Sequence, residues 1–124
     1  MKKILLVDDD EIANFLSKSV ISECASCEIE VAGNGEEALR IIAGCLQSDA
    51  CPDLIFLDLN MPVMSGQEFL IALQELPEKS TMKIIVLSSS CAHTDIDSVI
   101  GQVKGYLTKP LTADKFRKVL EQCE

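Results

Sequence analysis

Basic charge is what this sequence is short of. Eleven lysines and arginines face twenty aspartates and glutamates, for a net charge of −9. A protein that holds nucleic acid through its phosphates needs a basic face, so direct nucleic-acid binding is not expected. Long hydrophobic runs are missing too. None approaches the ~20 residues of a membrane-spanning helix, so no membrane partner is expected either. The opening MKKILLVDDD carries two lysines and a short apolar stretch. Three acids stand where a small-residue cleavage site would belong, which makes it a first buried strand and not a signal peptide. Histidine is nearly absent. His93 follows the Ser88–Ser90 run in a loop and reads as an exposed bystander, not a base. Linkers, internal repeats and low-complexity tracts are also missing, so residues 1–124 are expected to form one domain around one core.

Cysteine is not scarce. There are six, and Cys24 with Cys27 makes a CxxC pair. A zinc site would need a second pair at similar spacing, and a thioredoxin-type pair would open a helix where this one ends it. All six are therefore expected to be reduced thiols that fill small apolar spaces.

Hydrophobic residues make up 48% of the chain and charged residues 25%, the balance of an ordinary folded domain. Apolar runs of strand length fall at Lys3–Val7, Glu28–Ala32, Leu54–Leu57, Ile84–Leu87 and Gly105–Leu107. Between them, apolar residues recur three and four apart, the helical spacing. Ile12, Phe15, Leu16 and Val20 mark a first helix beginning near Asp10. Ala38, Leu39, Ile42 and Leu46 mark a second, after the Gly-Asn-Gly turn. Phe69, Leu70 and Leu73 mark a third, stopped by Pro77. Ile96, Val99 and Ile100 mark a fourth, and Phe116, Val119 and Leu120 a last one capped by Thr112. Five alternations of strand and helix predict an α/β, doubly wound, five-stranded parallel sheet with five helices. The expected strand order is 2-1-3-4-5, the flavodoxin-like arrangement, in which ligands bind beyond the carboxyl ends of the strands where the order reverses.

Chemistry-bearing residues collect at those ends. Asp58 closes LIFLD and opens the turn LNMPVMSG; Asp8 and Asp9 follow the first strand; Ser88 follows the fourth; Lys109 and Pro110 follow the fifth. A carboxylate can accept a phosphoryl group as a mixed anhydride, which makes Asp58 the candidate nucleophile. Phosphoryl transfer asks mainly for charge neutralisation and positioning. Asp8, Asp9, Asp58 and the backbone carbonyl of Asn60 form an oxygen set suited to Mg²⁺. Lys109 brings a flexible positive charge to the phosphoryl oxygens, and Ser88 a hydroxyl that can donate to another. Pro110 suggests a turn with a cis peptide bond that points the ammonium inward. Asp10 reads more readily as a helix cap than as a further metal ligand.

With these motifs in this order, the chain resembles the receiver domains of two-component response regulators over essentially its whole length. The resemblance implies a phosphoacceptor at Asp58, an acidic pair at Asp8 and Asp9, and switch residues at Ser88, Lys109 and Tyr106, the last turning inward as the hydroxyl moves. It implies that Asn60 and Ser90 tune how fast water attacks the acyl phosphate. It also implies a cytoplasmic, stand-alone receiver, with no output domain and no enzymatic activity beyond its own phosphorylation and dephosphorylation. The donor would be a histidine kinase or histidine phosphotransfer protein, and the signal would leave through a downstream protein target. Two departures stand out: Ser88 where Thr is commoner, and a longer stretch around GCLQSDACPD. Other readings are a docking module independent of phosphorylation and a small aspartyl-phosphate phosphatase. Against the phosphatase, Asn60 stands where a second catalytic Asp would be needed. A redox sensor built on Cys24 and Cys27 is more distant.

Overall fold

In a computed structural model of the chain, the described residues are 3–45, 51–58, 66–73, 75, 82–88 and 103–123. They form β1 (Lys3–Val7), α1 (Glu11–Cys24), β2 (Glu28–Ala32), α2 (Gly35–Cys45), β3 (Leu54–Leu57), α3 (Gly66–Leu73), β4 (Lys83–Ser88), β5 (Val103–Thr108) and α4 (Ala113–Cys123). The strands make one parallel sheet in the order β2-β1-β3-β4-β5, as expected. Four helices are described. The expected helix around Ile96–Ile100 lies outside the described residues, as does Pro77.

The core is divided by the sheet, and the alternation of side chains along each strand does the dividing. Leu5 and Val7, Ile55 and Leu57, Ile84 and Val86 point to one face, where Ala38, Ile42 and Cys45 of α2 and Phe69 and Leu73 of α3 cover them. Ile4 and Leu6, Leu54 and Phe56, Ile85 and Leu87 point to the other, under Ile21 of α1 and Phe116 and Val119 of α4. Phe56 and Phe116 meet there with ring centroids 6.2 Å apart. Because both faces are covered, the inner strands read as unbroken apolar runs. β2 lies at the edge, and its Glu28 and Glu30 are the charged residues an edge strand tolerates.

The apolar spacing of α1 does not mark its inward side. Its periodic apolar residues Ile12, Phe15 and Leu16 are 72%, 69% and 49% exposed, while Asn14, Ser17 and Ile21 are buried. The apolar spacing located the helix correctly but not the side that faces inward.

The amino-terminal end of the sheet is tied together at Asp53. Its N–H donates to the Lys3 carbonyl (2.9 Å), its carbonyl accepts from Lys83 N–H (3.1 Å), and its carboxylate accepts from Lys3 N–H (3.0 Å). These bonds hold the start of β3 between β1 and β4. Beside them, Cys45 and Cys51 are joined by a disulfide, with Cα atoms 5.0 Å apart. This corrects the expectation that all six cysteines are thiols. The end of α2 and the segment before β3 run close enough together for their sulfurs to bond. Cys24 and Cys27 are free thiols, and burial pushes Cys27 above the usual thiol range.

Candidate functional site

The backbone ladder runs one residue past two strands. Asp8 N–H donates to the Ala32 carbonyl (3.0 Å), and Asp58 N–H donates to the Val7 carbonyl (2.9 Å). Both aspartates are thereby fixed at the carboxyl edge of adjacent strands, between β1 and β3, where the strand order reverses. Each is only 6% exposed. Asp9 is exposed at the rim, and carboxylate oxygens of Asp8, Asp9 and Asp58 lie within 4.8 Å of one another.

The chain then stops being strand for a physical reason. Asp8 turns its carboxylate back to accept from Asp10 N–H (2.9 Å). Asp10 caps α1, accepting from the N–H groups of Ile12 (3.0 Å) and Ala13 (3.3 Å), so the capping role expected of it is observed. Asn14, on the buried side of α1, donates through Nδ2 to the Asp8 carbonyl (2.9 Å). Its burial thus positions the backbone of an acidic residue. A small cavity lined by Asp8, Asn14, Ser17 and Asp58 lies beneath the acids.

Lys109 reaches in from the turn after β5. Its Nζ lies 2.6 Å from Asp8 Oδ2 and 3.4 Å from Asp58 Oδ2. The peptide between Lys109 and Pro110 is cis. Burial alone would pull the ammonium down. The hydrogen bond and charge of Asp8, with the charge of Asp58, outweigh that and leave it raised. Asp8 is raised as well. Burial is the main cause and Asp58 adds to it, while Lys109 and the Asp10 N–H act in the opposite direction.

The turn carrying Lys109 is itself held. Lys115, in the first turn of α4, donates to the carbonyls of Thr108 (2.6 Å) and Pro110 (3.1 Å), on either side of Lys109. Thr112 caps the same helix, accepting from Lys115 N–H (3.3 Å). Ser88 ends β4 in register with Thr108, so its backbone stands at the same edge. Tyr106, paired with Val86, is half-buried against the α2–α3 side of the core. Asn60 and Ser90 lie outside the described residues. Sequence reasoning missed Asn14 and Lys115. For Asn14 the available signal was a polar residue inside a helix, six places after Asp8. Lys115, one charged residue on a helix rich in charge, offered none.

These acids also pass a chemical test for a metal. The donors are all oxygens, their excess negative charge calls for a divalent cation, and the set is open at Asp9, which suits the hard, partly hydrated Mg²⁺.

The sequence profile of the response regulator receiver domain matches residues 4–121. The chain belongs to this family. The receiver is 35% identical over 122 residues to the nitrate/nitrite response regulator protein NarL of Escherichia coli K12, covering 96% of this chain and 53% of that protein. It thus spans about half the length of that relative. It is 27% identical over 124 residues to the chemotaxis protein CheY of Listeria monocytogenes, covering 98% of each. Among solved structures it is similar to the response regulator protein TrrA of Thermotoga maritima in complex with Mg²⁺ and BeF, at TM-score 0.76 and 30% identity, covering all of both chains. Receivers are signalling modules of two-component systems. No helix among the described residues is long and apolar enough to cross a membrane.

Proposed function

We propose that this receiver accepts a phosphoryl group on the carboxylate of Asp58 from a phosphohistidine on a histidine kinase or histidine phosphotransfer protein. The observation that carries the reading is the placement of Lys109 Nζ against both Asp8 and Asp58, beside three carboxylates that share one small space. An Asp58 oxygen attacks phosphorus, the phosphorus–nitrogen bond of the donor breaks, and the leaving imidazole nitrogen keeps the electron pair and takes a proton. Asp8, Asp9, Asp58 and the Asn60 carbonyl would hold Mg²⁺. Bound there, the cation would neutralise charge on the phosphoryl oxygens and relieve repulsion among the acids. Lys109 would pair with one phosphoryl oxygen and the Ser88 hydroxyl with another. Asn60 and Ser90 would set access for water.

On this reading, phosphorylation shifts a two-state surface formed by the Ser88 edge, Tyr106 and α4, and the signal leaves through a downstream protein target. The exposed Ile12, Phe15 and Leu16, beside a groove that Lys109 and Pro110 also line, give the phosphoryl donor an apolar surface next to the acids. We also propose that the receiver works in the cytoplasm without turning over an external substrate.

The deciding experiment is intact mass after incubation with acetyl phosphate and Mg²⁺, for wild type and Asp58→Asn. One labile phosphoryl group is expected on wild type only, and only with Mg²⁺. An adduct that survives Asp58→Asn would move the acceptor to another residue, and none on either protein would replace this reading with a docking module independent of phosphorylation.

A further inference from the structure

Two sulfurs at the far end of the sheet from Asp58 take no part in phosphoryl chemistry. Cys45 ends α2 and is 7% exposed inside the α2–α3 side of the core. Cys51 is half-buried and packs against the same cluster. Their Cα separation of 5.0 Å falls within the ~4.4–6.8 Å that disulfides span, so the thiols meet without moving the backbone.

We propose that Cys45 and Cys51 form a reversible thiol–disulfide clasp, in which Cys51 reacts first with a small external disulfide and Cys45 resolves it. The order follows from exposure. An external disulfide must approach the attacking sulfur in line, and Cys51 is partly exposed to that approach where Cys45 is covered by core. The Cys51 thiolate attacks a glutathione-type disulfide RSSR, forming Cys51–S–S–R and releasing RS⁻, which takes a proton. The Cys45 thiolate then attacks the Cys51 sulfur, the bond to SR breaks, and a second RS⁻ leaves. Two protein thiols become one disulfide while RSSR is reduced to two thiols, so atoms and electrons balance. Excess RSH runs both steps backward.

The clasp fastens a meaningful place. Cys51 precedes Pro52, which is buried, and Asp53, which ties the start of β3 to Lys3 and Lys83. Closing it links the end of α2 covalently to the segment that seats β3 in the sheet, and it restricts the unfolded chain. In a reducing compartment the pair rests as thiols, and oxidation closes it. Asp58 stands at the other end of β3, so the clasp governs the stability of the fold and not its uptake of phosphate. The test therefore does not depend on the phosphoryl reading.

The full chain is equilibrated with graded mixtures of reduced and oxidised glutathione, alkylated and digested, and the peptide holding both cysteines is weighed. The wild-type peptide is expected to pass from two alkylated thiols to one disulfide, and to return on adding reductant. Cys45→Ser should trap a glutathione adduct on Cys51, whereas Cys51→Ser should trap little on Cys45. Oxidised wild type should melt roughly 5–10 °C above reduced wild type, with no such difference in the double variant. Equal trapping on Cys45 would overturn the order of attack. A peptide that stays dithiol, or stays disulfide, across the whole series would overturn the switch, as would equal melting of the two wild-type forms. If a variant fails to fold, the wild-type mass and melting series decide alone.

Discussion

Asp53 and Asp58 bracket the same four-residue strand, and their surroundings are opposite in kind. Asp53 is met by backbone groups: its carboxylate, N–H and carbonyl each bond to the starts of β1 or β4. Asp58 is met by other charges, with Asp8 and Asp9 within 4.8 Å and Lys109 Nζ at 3.4 Å. One aspartate lowers the energy of the fold. The other sits where the fold has gathered like charges whose repulsion a cation can relieve. Asp58 is buried and Asp53 half-buried. They differ also in what meets them: backbone dipoles aligned to Asp53, and at Asp58 charges still to be balanced.

The sharpest break of this comparison is Asp58→Asn, which should abolish phosphoryl uptake altogether and leave the melting temperature unchanged or higher. Intact mass and a thermal melt, read side by side, test both halves. Next in size, Lys109→Met removes the cation shared by Asp8 and Asp58. Phosphorylation by acetyl phosphate should slow by roughly 10²-fold, in line with the loss of one oriented electrostatic contact. Mg²⁺, no longer competing with an ammonium, should bind several-fold tighter by titration. At the other end, Asp53→Ala should cost about 1–3 kcal/mol in urea unfolding and leave the labelling rate within about twofold. A slowed labelling rate would mean the two ends of β3 are not independent.

Asp8 supplies a pH test. Burial, with the Asp58 charge, raises its folded value above 3.8, so between 3.8 and that value the native state holds the proton better than the unfolded one. Stability without Mg²⁺ should therefore fall as pH rises through that window and recover on acidification. Asp8→Asn should flatten the slope and raise Mg²⁺-free stability by about 1 kcal/mol, while removing the stabilisation Mg²⁺ gives. Urea midpoints against pH in EDTA would show it. The smallest effect belongs to the exposed Arg40–Glu36 pair on α2, 3.1 Å apart. Arg40→Ala should change stability by no more than about 0.5 kcal/mol.

Much of the sheet was legible because strands buried on both faces are continuous apolar runs. Lys3–Val7, Glu28–Ala32 and Leu54–Leu57 were bounded as observed. β5 extends to Val103 and Thr108 because ladder pairing with β4 continues past the apolar residues that announce it. The acids and Lys109 were legible because each ends its own strand, and strand ends converge in a parallel sheet. The inward side of α1 was not, since Asn14 is buried to hold the Asp8 carbonyl and periodicity cannot register a hydrogen bond. The Cys45–Cys51 pairing was hidden as well. A spacing of six residues says nothing about whether the chain doubles back, and no second motif marks the pair. No sequence motif marks Asp53, and only the fold shows which backbones it joins.

Lys115 grips the carbonyls of Thr108 and Pro110 from the first turn of α4, so the position of that helix and the position of Lys109 are not separate variables. Linkage of this kind has no preferred direction: work done on one end appears at the other with the same coupling free energy. A protein that seizes α4 and draws it outward loosens the turn that presents the ammonium. It changes how firmly the acids are neutralised without touching any of them. Whatever listens to this domain at α4 therefore also speaks to it.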